Sequence, residues 1–385
     1  MITFFLVLSV IANCLSYDEF DTNMVFEENY NPDAYLTAPQ IIRRHGYQSE
    51  SHVVETADGY LLTVHRIPKN KVGRSGQQPV LIQHGLLSSS ADFLITGDNK
   101  SLAFILSDLG YDVWLGNARG NTYSKAHVSL STASVEFWNF TAGVVKEKSS
   151  IGFHLTDEPY QVNPTCFPFA NSSNKFVFKQ MNIDDKQLSL AFQQAITVIA
   201  EPCSPDWIVK HLGIKQYLPY DLLMKVLSRD CEHSEADKII CDQLIFLVCG
   251  FDKYQFDKKL LPLVLGHSPA GTSIKTVIHY TQEIHYHGNF MQFDYGKNGN
   301  MVQYGNWTPP DYEINNINVP TYFMYADNDW VANEYDVKKL VNGVNNSIGV
   351  YRIPYKLFNH LDFIWAKDAP KLVYKKLIDV IKEYS

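Results

Sequence analysis

The chain has 385 residues, 45% of them hydrophobic and 19% charged, enough for one large domain with an insertion or for two domains. Its formal net charge is −8 and its pI about 5.9, an acidic balance that repels a phosphate backbone and argues against nucleic acid as a partner.

The first residues carry an apolar run, Ile2 to Ala12, with the small residues Cys14 and Ser16 at the −3 and −1 positions of a cut before Tyr17. This predicts a signal peptide over residues 1–16. A run of about a dozen apolar residues is too short to cross a bilayer, and the sequence offers no other transmembrane candidate. The protein is therefore expected in the secretory pathway, secreted or lysosomal. N-x-S/T triplets at Asn99, Asn139, Asn171, Asn306 and Asn345 fit that route as glycosylation sites. With Cys14 removed, Cys166, Cys203, Cys231, Cys241 and Cys249 remain. An odd count in an oxidising compartment implies a free thiol or an intermolecular bridge. No cysteine spacing suggests zinc, and no metal or cofactor is expected.

In chain order, HVVET and YLLTVHRIP around Ala57-Asp58-Gly59 predict a hairpin. PVLIQHG, residues 79–85, reads as a buried parallel strand. SLAFILSDLG predicts a helix stopping at Gly110, and YDVWLGNARGN a second buried strand entering a Gly-rich turn. Strand, helix and strand in succession predict a parallel sheet with crossover helices. From about 205 to 290 the apolar spacing is helical, including SIKTVIHYTQEI. The α/β alternation returns at VPTYFMYADND and GVYRIPY. It closes with a helix over 369–384 in which Val373, Leu377, Ile381 and Tyr384 share a face.

Functional groups in such sheets gather at the C-terminal strand ends. Asp327 and Asp329 follow one predicted strand, and His360 follows the next. An acid and then a histidine on successive loops is the order of the last two triad members in an α/β-hydrolase. The carboxylate orients the imidazole, and the imidazole takes the proton of a nucleophile. A solvated loop aspartate and a capping histidine would give the same text. The HG turn in QHGLL, after an early strand, is where this fold supplies a backbone N–H to an oxyanion.

These stretches together resemble the acid lipase family, the group of lysosomal acid lipase and gastric lipase. The matching text includes GYQSESHVVETADGYLLTVHRIP, LIQHGLLSSSADF, LGYDVWLGNARGNTYSKAHVSLS, EFWNF, CGFD, HSPAGTS, VPTYFMYADNDWVAN and NHLDFIWAKDAP, in family order. The resemblance implies an α/β-hydrolase fold: a core over 17–204 and 305–385, with a helical cap over 205–304. It implies a carboxylic ester hydrolase acting on triacylglycerols or steryl esters at a lipid–water interface. Carried over residue by residue, Asp329 is the triad acid, because the family's aspartate precedes the tryptophan, here Trp330. His360 is the base, Leu86 supplies an oxyanion N–H, and the cap disulfide falls on Cys231 and Cys241 with Cys249 free. A link between Cys166 and Cys203 stays open.

The departure lies in residues 141–203, where the family places its G-x-S-x-G nucleophile elbow. Ser149, Ser150, Ser172, Ser173 and Ser189 stand there, none with small residues at both −2 and +2. The elbow's strained turn needs those small flanks. Ser268 has them in GHSPA, and chain order suits it, but Pro269 follows it and carries no N–H for an oxyanion. A structural turn in the cap is the preferred reading of Ser268, and the nucleophile stays unassigned. The sheet is expected to be irregular over 141–203, and the chain as printed to hydrolyse esters poorly. Two alternatives stand beside the hydrolase: a catalytically inactive lipid-binding member of the family, or a misassembled sequence that has lost its elbow. His279, Glu283, His285 and His287 lack a zinc-ligand register and are read as a polar cap helix. Asn117, Arg119 and Gly120 are read as a structural turn beside the site.

Overall fold

The computed structural model describes residues 31–141, 216–217, 252, 254–285 and 290–384. The signal peptide, the segment 142–203, Asn171 and all six cysteines lie outside the described residues.

The chain enters through the helix α1 (Ala38–Arg44), whose Thr37 and Gln40 form a reciprocal cap. β1 (Glu50–Glu55) and β2 (Tyr60–Ile67) form the expected hairpin, with Glu50 opposite Arg66 and Glu55 opposite Leu61. Its turn needs Gly59, at φ +88°, where a Cβ would meet His127 and Val128 at under 3 Å. β3 (Gln78–Gln83), α2 (Leu102–Asp108) and β4 (Tyr111–Gly116) follow. α2 stops, as its sequence predicts, before a left-handed Gly110 at φ +93°. β3 runs parallel to β4, and β4 is antiparallel to β2, giving the order β1-β2-β4-β3. The short β5 (Ala126–His127) joins β2. Every residue of β4 is buried, as its apolar text requires. β3 is mostly half-buried, because among the described residues it has one strand neighbour.

Further along stand β6 (Gln216–Tyr217), α3 (Leu261–Leu265), β7 (Thr272–Ser273), α4 (Ile274–His285) and α5 (Gly296–Tyr304). β6 pairs with β7, and α4 realises the helical text SIKTVIHYTQEI. β8 (Thr321–Tyr325) and β9 (Ser347–Arg352) are parallel and joined by α6 (Glu334–Gly343). The chain closes with α7 (Asp362–Trp365), a π-helical turn over Pro370–Tyr374 and α8 (Lys375–Glu383). The predicted C-terminal helix is thus two pieces, its first turn widened behind Pro370. Val373, Leu377 and Ile381 share the buried face, and Tyr384 is half-exposed.

One buried cluster gathers Ile41, Phe104 and Leu115 from the first part of the chain with Phe358, Trp365 and Tyr374 from its end, and takes Leu263 and Val264 from α3. The two ends of the chain therefore share a core. The strand ends that carry His84, Asp329 and His360 stand on that core.

Candidate active site

His360 opens a short helical turn pinned from both sides. Asn359 accepts the N–H groups of Leu361 and Asp362, and Asp362 accepts the N–H of Asn359 at 2.7 Å. This is a reciprocal cap built from Asn and Asp, and it fixes the backbone of the histidine between them. Asp329 sits in the loop after β8, only 3% exposed, with one oxygen accepting the N–H groups of Val331 and Ala332 at 2.9 and 2.7 Å. Its carboxylate meets His360 Nδ1 with both oxygens at 3.0 Å. Asn328 ties the two loops together by donating to the carbonyl of Leu357. Asp327 turns instead to Arg352, and that guanidinium holds its carboxyl below the usual range.

Leu86 lies 39% exposed in the turn after β3, and Leu87 beside it has φ +61°. His84 holds this turn to the loop after β4. The Ala118 N–H can only donate, so His84 Nε2 accepts it at 3.0 Å, and Nδ1–H donates to the carbonyl of Gly85 at 2.7 Å. Burial pushes the imidazole down to about 4, so it is neutral, as that pattern requires. Asn117 accepts the Ser90 N–H at 3.0 Å and donates to the carbonyl of Thr63. Arg119 is buried under Tyr60, at 4.2 Å from its ring centroid, and forks onto Asp58 of the hairpin turn. The sequence signals at Asn117, Arg119 and Gly120 therefore mark a clamp between loops. Asn121 adds to the clamp by donating to Asn117 Oδ1 at 3.1 Å and to the carbonyl of Ser88, and neither its role nor that of His84 follows from the sequence. Only the HG and NARGN spacings hinted at them.

Ser268 directs its hydroxyl to Asp92 Oδ1 at 2.8 Å. It lies just past α3, where its N–H donates to the Val264 carbonyl, so the element that leads directly into it is a helix and not a strand. The structure thus keeps Ser268 in a turn and engages its hydroxyl with a carboxylate rather than with His360. His279 and Glu283 lie one turn apart on α4, 3.3 Å apart, and both Glu283 oxygens accept the Met291 N–H. Among the described residues no group of His, Cys, Asp and Glu could hold a metal ion. Nor does any described helix have the length and apolarity to cross a membrane. The sequon residues Asn99, Asn139, Asn306 and Asn345 are all exposed.

Residues 38–97 match the model of the partial alpha/beta-hydrolase lipase region. The chain is 34% identical to Lipase 1 of Drosophila melanogaster, covering 94% of this chain and 84% of that protein. It is 33% identical to the human lysosomal acid lipase/cholesteryl ester hydrolase, covering 92% of each. With the gastric triacylglycerol lipase of Bos taurus it shares 34% identity, over 92% of this chain and 93% of that one. Identity at this level across nearly the whole length of each partner places the chain in the acid lipase family of α/β-hydrolases.

Proposed function

We propose that the chain hydrolyses carboxylic esters of lipids, triacylglycerols or steryl esters, through an acyl-enzyme. The observation that carries this reading is the His360–Asp329 pair, Nδ1 against both carboxylate oxygens at 3.0 Å, on the loops after β8 and β9 of an acid lipase. With Nδ1 committed to Asp329, proton exchange falls to Nε2. A serine oxygen attacks the ester carbonyl while Nε2 takes its proton, and Asp329 stabilises the imidazolium. The C–O bond to the alcohol breaks, and the departing oxygen takes the proton from Nε2. Water then repeats the cycle on the acyl-enzyme. The Leu86 N–H is assigned to the developing oxyanion. The same reading takes 17–204 and 305–385 as core and 205–304 as cap, and sends the protein through the secretory pathway to the lysosome or outside.

A catalytically inactive, lipid-binding role is the second reading. It rests on the lack of a serine with small flanks in 142–203. A fluorophosphonate probe on the purified protein, followed by peptide mapping, separates the two. Labelling of a serine in 142–203 supports the hydrolase. His360→Gln is then expected to lose at least about 10³-fold in kcat/KM on a short soluble ester. Lipid binding without labelling supports the inactive member. Recovery of G-x-S-x-G on sequencing the transcript would trace the missing elbow to a misassembled sequence.

A further inference from the structure

Leu87 is the one non-glycine residue at positive φ among the described residues. A leucine in the left-handed region costs of order 1 kcal/mol and persists only where its surroundings fix it. Two ties from the segment after α3 reach this turn. The Ala270 N–H donates to the Leu87 carbonyl at 2.6 Å. Asp92, 2% exposed, takes the hydroxyl of Ser268 on Oδ1 at 2.8 Å and the hydroxyl of Ser88 on Oδ2. Ser88 is the residue after Leu87, so one carboxylate grips the turn and the segment together. Thr122, in the loop after β4, donates to the Ala270 carbonyl at 3.2 Å and steadies the segment from the other side.

We propose that Ser268 and Asp92 are positioning residues for the oxyanion turn: through Ser88 they hold Leu87 left-handed and so keep the Leu86 N–H aimed at the ester oxygen. The inference rests on the hydrolase reading for the purpose of the turn, and on the geometry alone for the grip. It gives GHSPA a role: its serine is a hydroxyl donor to a buried carboxylate, and the small residue Ala270 lets the backbone approach Leu87 closely.

The experiment uses the full-length secreted protein with Ser268→Ala and Ser268→Thr. Ser268 is half-exposed, so threonine has room and keeps the hydroxyl. Amide hydrogen exchange over residues 84–92 reads the grip without turnover. Exchange is expected to quicken about tenfold in Ser268→Ala and to return towards the original rate in Ser268→Thr. Equal rates in all three proteins would overturn the grip. On a short soluble ester, Ser268→Ala is expected to lose about tenfold in kcat with KM within about twofold, a fraction of what a lost oxyanion donor costs, and Ser268→Thr to recover it. A loss confined to KM, or an unchanged kcat in a protein that turns over, would overturn the positioning role. So would fluorophosphonate labelling of Ser268 itself. If the unmodified protein has no turnover but the exchange rates shift as expected, the grip stands and the hydrolase reading fails.

Discussion

At His84 burial decides protonation, and protonation decides what the ring can hold. A charged imidazole would present two donors, and the Ala118 N–H would face one of them instead of an acceptor. His84→Leu therefore leaves the Ala118 N–H unmet and frees the Gly85 carbonyl. The expected cost is about 2 kcal/mol of stability, read by urea denaturation. If the turn after β3 supplies the proposed oxyanion N–H, turnover falls as well, because the ring joins that turn to the loop after β4. His65 is a second buried imidazole, with Nδ1 against Ser90 Oγ at 2.8 Å, and burial pushes it down to about 4. His360 differs from both in having a carboxylate, that of Asp329, on Nδ1. At this scale the sequence was legible where a side chain's partner stands in a familiar order along the chain, as with Asp329 and His360. It was not legible where the partner is brought by the fold: nothing in the text joins Asp92 to Ser268, 176 residues apart.

Elements with a clean period were readable, and those held by single polar side chains were not. β1, β2, β4, α2 and α8 follow from alternation, continuous apolar text or a helical stripe. α5 does not, since Gly296, Asn298, Gly299 and Asn300 are poor helix formers. It forms because the buried Asn300 accepts the Tyr295 N–H at 2.9 Å and donates to Asp294 and to the Trp307 carbonyl. That network overrides intrinsic propensity and leaves no periodic trace. The turn after β4 is another such case. Gly120 lies at φ +79°, and a Cβ there would meet Phe140 Cζ at 2.7 Å and Trp138 Cζ3 at 3.1 Å. Gly120→Ala therefore combines backbone strain with a push on the aromatic cluster of Tyr60, Phe137, Trp138 and Phe140. A loss of about 2 kcal/mol is expected, seen as a lower denaturation midpoint at unchanged m-value. An unchanged midpoint would mean that the turn rearranges freely, and Arg119 would then not be fixing it.

Across the whole molecule, buried histidines and buried carboxyls set opposite demands on protons. Burial lowers His65 and His84 to about 4 and lowers His267 as well, so the folded chain binds fewer protons at all three than the unfolded chain does, for the first two over a window from about pH 4 to 6.5. Their contribution grows as pH rises through that window and is lost as it falls. Burial raises Asp92 to about 6, and raises Glu283 and Asp362 as well, so the folded chain binds more protons at these three. Their contribution runs the other way and is lost as pH rises. The two sets therefore oppose each other in mildly acidic solution. Above about pH 6.5 the unfolded histidines have lost their protons, and at least two folded-state protons still matter. One is on His45, whose pKa is raised chiefly by its hydrogen bond to Asp33, with Asp98 adding to it. Another is on Asp362, pushed up to about 8 by burial and by the neighbouring carboxyls of Asp252 and Asp329. Losing the Asp362 proton puts a charge beside Asp329 and at the cap that holds His360. Asp362→Asn keeps an oxygen for the Asn359 N–H but cannot ionise. Urea denaturation at pH 5, 6.5 and 8 is expected to show the unmodified protein losing stability relative to Asp362→Asn in both intervals, about 2 kcal/mol from pH 5 to 6.5 and somewhat less from pH 6.5 to 8 as Asp362 itself ionises. Parallel profiles across the whole range would show that Asp362 is already ionised at pH 5, and its burial would then carry no pH dependence.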